Sequence, residues 1–193
     1  MEKEVNFLED YILEGNQLDI KVYPAACLKK KSVDVTEFND ELRVLCKDML
    51  FTMYHAPGVG LAAPQIGKNI NLFVIDCEYQ REEVAKAESI EYELSSFNPQ
   101  VFINPKIVEQ SGEILYEEGC LSVPGVFEKV KRAESIVVEY LDMFGNPQKI
   151  NASGPFAVCI QHEYDHLLGK VFLDRLSLLK KKILTKKYLK EQG

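Results

Sequence analysis

The segment His162-Glu163-Tyr164-Asp165-His166 constrains this chain more than any other. Its two His stand at i and i+4, one turn apart on a single helix face, so two imidazoles can hold one metal ion. The Glu between them is placed to take a proton from metal-bound water. The surrounding stretch predicts a helix from Ser153 to Leu168, with Ser153 as N-cap, Pro155 in the first turn and Gly169 as the stop. That helix is apolar nearly all round (Phe156, Val158, Cys159, Ile160, Leu167), so it belongs inside the fold. Two His and a Glu in a core are costly unless metal and hydrogen bonds satisfy them. The competing interpretation, a solvated His/Glu face, conflicts with the apolar flanks. Only three His occur in the chain, so a His-rich composition does not account for the pattern.

A catalytic metal site keeps three protein ligands and one open position. Downstream of His166 the acids are Asp174, close in sequence, and Glu191, in the tail; Phe172 stands where long-helix zinc peptidases place a third His. The third ligand is therefore expected upstream, from His55, an acid or a cysteine. Cys120 stands out, in Glu117-Glu118-Gly119-Cys120-Leu121-Ser122-Val123-Pro124, where a strand gives way to glycine and proline. A thiolate with two imidazoles suits a divalent transition metal. Alone, Cys120 would read as a buried structural thiol, as Cys27, Cys46, Cys77 and Cys159 do. The five cysteines form no CxxC pair, and a disulfide framework is not expected. His55, at a helix end, reads as a surface or capping residue.

Attack on a carbonyl places negative charge on its oxygen, and each donor aimed at that atom is worth roughly 2.7–4 kcal/mol. Gln65, within the Gly-rich run Gly58–Gly67, and the backbone N–H of Leu121 are candidate donors. Small residues at 58–63 would let a substrate backbone come close. By itself this run reads equally well as a tight loop covering a helix end.

The rest of the chain supplies elements around these segments. Phe38, Leu42, Leu45, Met49 and Met53 predict a helix over Thr36–His55, capped by Thr36 or Asp34 and ended at Pro57-Gly58. Strands are predicted at 70–76, 101–107, 113–118 and 135–142, the last within a hairpin over 135–151. Residues 1–16 read as an acidic extension, and 78–100 as a charged surface excursion, partly helical at most. A last helix runs from about Ser177. Residues 170–193 carry eight Lys/Arg against Asp174 and Glu191, near +6, within a chain of net charge −7. The acidic balance argues against chain-wide nucleic-acid binding, so no direct DNA binding is expected. No apolar run approaches the roughly 18 residues of a membrane helix, and the acidic N-terminus lacks the order of a secretion signal. The expected compartment is the cytoplasm.

The three chemistry-bearing segments resemble those of the peptide deformylase family, which carries GxGLAAxQ, EGCLS and QHExDH in this order. Here they stand as Gly58–Gln65, Glu118–Ser122 and Gln161–His166. The resemblance runs loosely from Asp19 to Leu184. It implies an α+β fold, with antiparallel and mixed strands around a buried HExxH helix and a further C-terminal helix, in a single domain over 1–193. It implies one divalent metal ion on Cys120, His162 and His166, usually ferrous iron, with zinc, nickel or cobalt able to substitute. Metal-bound hydroxide would attack the formyl carbon, with Glu163 as proton shuttle and Gln65 and the Leu121 amide stabilising the oxyanion. The substrate would be an N-formyl-methionyl nascent peptide, hydrolysed to formate and a free amino terminus. It would lie extended beside Gly58, Val59 and Gly60 and beside Glu117, Glu118 and Gly119. Its methionine would fill a pocket including Val158, Cys159 and His162.

The basic C-terminal helix, 177–193, resembles one that docks on the ribosome, and reads equally as a solvated Lys-rich helix. Tyr116 departs from the aliphatic residue common near the groove. Asp165 is expected either to orient a ligand His or to pair with Arg132. Two rival readings remain: a metallopeptidase cleaving internal bonds, and a metal-binding protein without catalysis. Phe172 opposes the first; Glu163 and Gln65 oppose the second, since metal storage needs neither.

Overall fold

Leu72–Ile75 is buried on both faces, and its alternation divides the interior in two. Leu72 and Val74 join one apolar cluster with Leu42, Met49 and Met53; Phe73 and Ile75 join another with Ala157 and Ile160. The computed structural model describes residues 15–86 and 89–192 around this strand. Its helices are α1 (Asp40–His55), α2 (Gly154–Leu167) and α3 (Leu178–Gln192). Its strands are β1 (Gly60–Ala62), β2 (Leu72–Ile75), β3 (Gln80–Lys86), β4 (Ser89–Ser95), β5 (Gln100–Ser111), β6 (Ile114–Glu118), β7 (Glu128–Arg132), β8 (Ser135–Leu141) and β9 (Pro147–Ser153).

Five strands make an antiparallel sheet in the order β1-β2-β5-β8-β9, and β3-β4 and β6-β7 are separate hairpins. Residues of α1 cover one face of the sheet and residues of α2 the other, which realises the expected α+β architecture with the motif helix enclosed. A third cluster, including Val123, Val130, Phe172 and Tyr188, seats α3 beside the β6-β7 hairpin. Among the described residues no helix is long and apolar enough to cross a membrane.

The structure corrects several boundaries. α1 begins at Asp40, not Thr36, because the Asn39 side chain accepts the Leu42 N–H at 3.0 Å and caps it there. Asp40 and Glu41 then sit in the first turn, where the helix dipole favours them. The excursion expected over 78–100 is a β-hairpin, pairing Gln80 with Ser95 through Lys86 with Ser89. The alternation Ile90-Glu91-Tyr92-Glu93-Leu94 is a strand signal that the surrounding charge obscures. Within 58–67, expected to be irregular, Gly60–Ala62 forms a strand and Ala63–Ile66 a 3-10 turn. β7 is an unpredicted strand. Of the expected extension, residues 1–14 lie outside the described residues, while the Asn16 N–H donates to Asp48 at 2.8 Å.

Candidate active site

The metal-binding residues come from two elements with different constraints. On α2, His162 and His166 lie one turn apart, edge to face, with ring centroids 5.2 Å apart. Cys120 lies just past β6, in the loop that joins β6 to β7. Its Sγ lies 3.4 Å from His166 Nε2, and donor atoms of Cys120, His162 and His166 all lie within 4.8 Å of one another. Tetrahedral ligands at about 2.0–2.3 Å from a shared ion stand about 3.5 Å apart, so these residues fit a metal ion. His55, the alternative ligand, is instead exposed and stacked on Phe51. Phe172 packs against the His162 ring at a centroid distance of 6.3 Å, supporting a ligand rather than supplying one.

The ligands are held from behind by buried charges. Glu118 accepts from His162 Nδ1 at 2.8 Å, which leaves Nε2 for the metal side. The same carboxylate takes Arg132 Nε at 2.7 Å and Nη2 at 2.9 Å in a two-pronged pair. Arg132 also reaches Asp165 Oδ2, which Arg175 Nε shares at 2.8 Å while Arg175 Nη2 takes Oδ1. Asp165 therefore pairs with Arg132, the second of its two expected roles, and its carboxylate accepts from Arg132 and Arg175. Glu118, expected at the substrate edge, turns its side chain inward because an Arg fork and an imidazole satisfy it there. Glu118 and its neighbours Glu117 and Gly119 all line the open side.

That side is a cavity of about 530 Å³ between the β1 segment and the end of β6. Gly58, Val59, Gly60, Gln65, Leu121, Val158, Cys159 and Glu163 line it, as do the metal-side residues Cys120 and His162. His166 lies beneath, fully buried. Gln65 is oriented by two neighbours: its Oε1 accepts the Ala62 N–H at 2.7 Å and its Nε2 donates to Ser122 Oγ at 3.2 Å. The same amide nitrogen stands 3.7 Å from Cys120 Sγ, so its donor end faces the metal-binding group. Sequence reasoning missed the orienting role of Ser122 and the place of Cys77 in the cavity wall.

Electrostatics separates the titratable groups. Burial pushes the Glu163 carboxyl up to about 7, and its Oε2 is buried without a partner. Burial also holds His166 well below its ordinary value, which favours the neutral ligand form. Against burial, hydrogen bonds that His162 donates toward Cys120 and Glu118 carry it well above its ordinary value. A carboxylate free to exchange a proton beside a ready cluster of metal ligands can support hydrolysis.

Gly60 decides where that carboxylate sits. A Cβ added there would stand 2.5 Å from Glu163 Oε1 and 2.8 Å from Cδ. Gly60→Ala should displace the carboxylate without touching a metal ligand. The expected result is unchanged metal content with about a 10²-fold fall in kcat, the scale of an ångström-sized misplacement. Parallel metal analysis and steady-state kinetics check it; full activity would mean that Glu163 has freedom to shift.

The polypeptide deformylase family model matches residues 17–182. Peptide deformylase 2 of Xanthomonas axonopodis pv. citri is 44% identical over 178 residues, 91% of this chain and 96% of that protein. The crystal structure of a peptide deformylase from Legionella pneumophila superposes with a TM-score of 0.78 at 42% identity, covering 91% of this chain and 95% of that one. One from Synechococcus elongatus, solved in complex with actinonin, gives a TM-score of 0.75 at 41% identity, with 88% and 86% covered.

Proposed function

The chain belongs to the polypeptide deformylase family, and on that premise we propose that it hydrolyses the formyl group from N-formyl-methionyl nascent peptides, releasing formate. The observation that carries this reading is the unpartnered Glu163 oxygen in the wall of a cavity that also holds Cys120 and His162. Cys120, His162 and His166 would hold one divalent ion. When bound, that ion supplies Lewis acidity and makes water nucleophilic near neutral pH. The donor set suits iron, zinc, nickel or cobalt, and iron is taken from the resemblance alone.

The chain's own residues do the rest. Glu163 takes the proton of the attacking water at its carboxylate and returns it to the leaving amine nitrogen, so one buried group serves both halves of the reaction. Gln65 Nε2 and the Leu121 N–H stabilise the charge that develops on the formyl oxygen. Ser122 and Ala62 fix the Gln65 amide beforehand, so the donor needs no reorganisation during the reaction. Among the described residues β1 pairs only with β2, which leaves its other edge for an extended peptide. Gly58, Val59 and Gly60 would pair with that peptide on one side, and Glu117, the Glu118 backbone and Gly119 would border it on the other. Val158 and Cys159 line the side-chain pocket, with His162 at its base. The same reading takes the chain as one domain in the cytoplasm. It assigns α3, with its Lys-rich surface, to contact with ribosomal RNA.

The test is formate release from formyl-Met-Ala-Ser by protein purified anaerobically with iron, beside acetyl-Met-Ala-Ser. Release from the formyl peptide alone, abolished by a chelator and restored by divalent metal, is the expected result. No release from metal-loaded protein would refute the reading. Cleavage of an unblocked peptide would favour the metallopeptidase.

A further inference from the structure

The β3-β4 hairpin is joined to the rim of the cavity by one hydroxyl. Tyr79 stands immediately before β3, and its Oη donates to Gly58 O at 3.1 Å. The Gly58 N–H is engaged as well, donating to Met53 O at 2.9 Å near the end of α1. Both backbone polar groups of Gly58 are therefore tied down. Gly58 and Gly60 are buried, while Val59 between them is exposed at the rim. Gly58 has little room to move, because a Cβ added there would stand 2.7 Å from Leu121 Cδ1.

Tyr79 is itself fixed. Its N–H donates to Asp76 Oδ1 at 3.0 Å. Asp76 is fully buried, and its carboxylate also accepts from Tyr54 Oη at 2.6 Å and from the N–H groups of Glu78 and Asn98 at 2.9 Å. One carboxylate thus holds the chain as it enters and as it leaves the hairpin. The Asp76 N–H donates to Val59 O at 3.0 Å, so the same residue grips the rim. The Tyr79 ring meets the Tyr54 ring edge to face at a centroid distance of 5.0 Å. That packing needs only a ring, and Phe would supply it. The hydroxyl is what reaches Gly58.

We propose that Tyr79 is a positioning residue for peptide substrates: its hydroxyl pins the Gly58 carbonyl and keeps Gly58–Gly60 set as an edge for an extended backbone, which favours formylated peptides over single formylated amino acids. The inference rests on the deformylase reading above. An edge captures a peptide through main-chain hydrogen bonds, and those bonds yield most when the edge is already in place. An edge that must be ordered during binding gives part of that gain back. The Tyr79 hydroxyl bonds to neither a metal ligand nor Glu163, so its loss weakens binding alike in the ground state and the transition state. Such a loss raises KM and leaves kcat unchanged. A formylated amino acid has little backbone to lay along the edge and depends on it less.

The test compares Tyr79→Phe with wild type, each as the full chain loaded with iron, on formyl-Met-Ala-Ser and on formyl-methionine. KM for the tripeptide should rise about three- to tenfold, the scale of one lost hydrogen bond, with kcat held within about twofold. KM for formyl-methionine should change less than about twofold. Deuterium exchange over residues 57–62, read by mass spectrometry, should be faster in the variant. An equal rise in KM for both substrates would overturn the proposal, as would a fall in kcat at constant KM. Unchanged constants in an active enzyme would overturn it too. If wild type released no formate from either substrate, the deformylase reading would fail, and exchange would still decide the role of Tyr79. Identical exchange over 57–62 in the two proteins would show that the hydroxyl does not pin this segment.

Discussion

Glu163→Gln lowers kcat for formate release by about 10²–10⁴-fold and leaves the bound metal in place. Gln keeps the volume and one acceptor oxygen of Glu, so the cavity wall and the contact with Gly60 are preserved. What it removes is the group that carries the proton. Glu163 is outside the metal-binding group, so metal per chain stays at the wild-type value. The carboxyl is raised to about 7 by burial. A cation on the neighbouring ligands would draw it down. The base form is needed, so kcat/KM falls as the pH drops through a limb at or below about 7, where the carboxyl takes up its proton. In Glu163→Gln that limb disappears from the residual activity. If kcat and metal content fell together, the variant would have damaged the site, and the proton-transfer role would lose its support. An unchanged kcat would instead favour a metal-binding protein without catalysis.

What the sequence discloses follows how far each feature depends on distant residues. His162 and His166 are legible because helical spacing alone puts them together, and the apolar flanks already mark α2 as buried. The alternation on β2, with Leu72 and Val74 to one side and Phe73 and Ile75 to the other, is legible as a strand buried on both faces. Cys120 is legible only in company. It lies 46 residues from His166, and nothing local distinguishes a ligand thiol from a packed one. Glu118 shows where local reading stops. On its own strand it is one more acid after Glu117, yet Arg132 and His162 reach it across gaps of 14 and 44 residues and make it a buried support. β7 went unseen for the same reason: its inward positions are Val130 and Arg132, and an Arg does not read as a core residue until its two carboxylates are in place. Cys77 reads as an ordinary thiol until the fold places it in the cavity wall.

Arg132→Met should destabilise the metal-free protein by about 3–5 kcal/mol, the cost of breaking a buried ion pair from one side. The Arg132, Glu118 and Asp165 side chains are nearly inaccessible, at 1%, 4% and 1% exposure, so solvent cannot take over the role of the guanidinium. Chelator-treated protein is compared in urea, because metal binding to the folded state would otherwise add its own linkage. The pH dependence supplies a signature that simple loss of packing lacks. Burial alone would raise Glu118 and Asp165, but their partners hold both below the ordinary values of 4.5 and 3.8. For a lowered carboxyl the stabilisation is present above the unfolded value and is lost as the pH falls through the folded one. Wild type should therefore lose stability in acid below about pH 4.5. In Arg132→Met, Glu118 loses its main counter-charge and Asp165 keeps only Arg175; burial then lifts both, Glu118 the more, and protonation relieves the strain. The gap between the two proteins should narrow as the pH falls toward 3. Arg132→Lys discriminates further: one ammonium cannot make the fork to Glu118 and reach Asp165 together, so its stability should lie between the other two. Equality of the Lys variant with wild type would show that charge alone suffices. A gap between Met variant and wild type that is constant with pH would place the loss in packing. With metal restored, the freed Glu118 should orient His162 less well, and the Met variant should bind the ion about 10–100-fold more weakly.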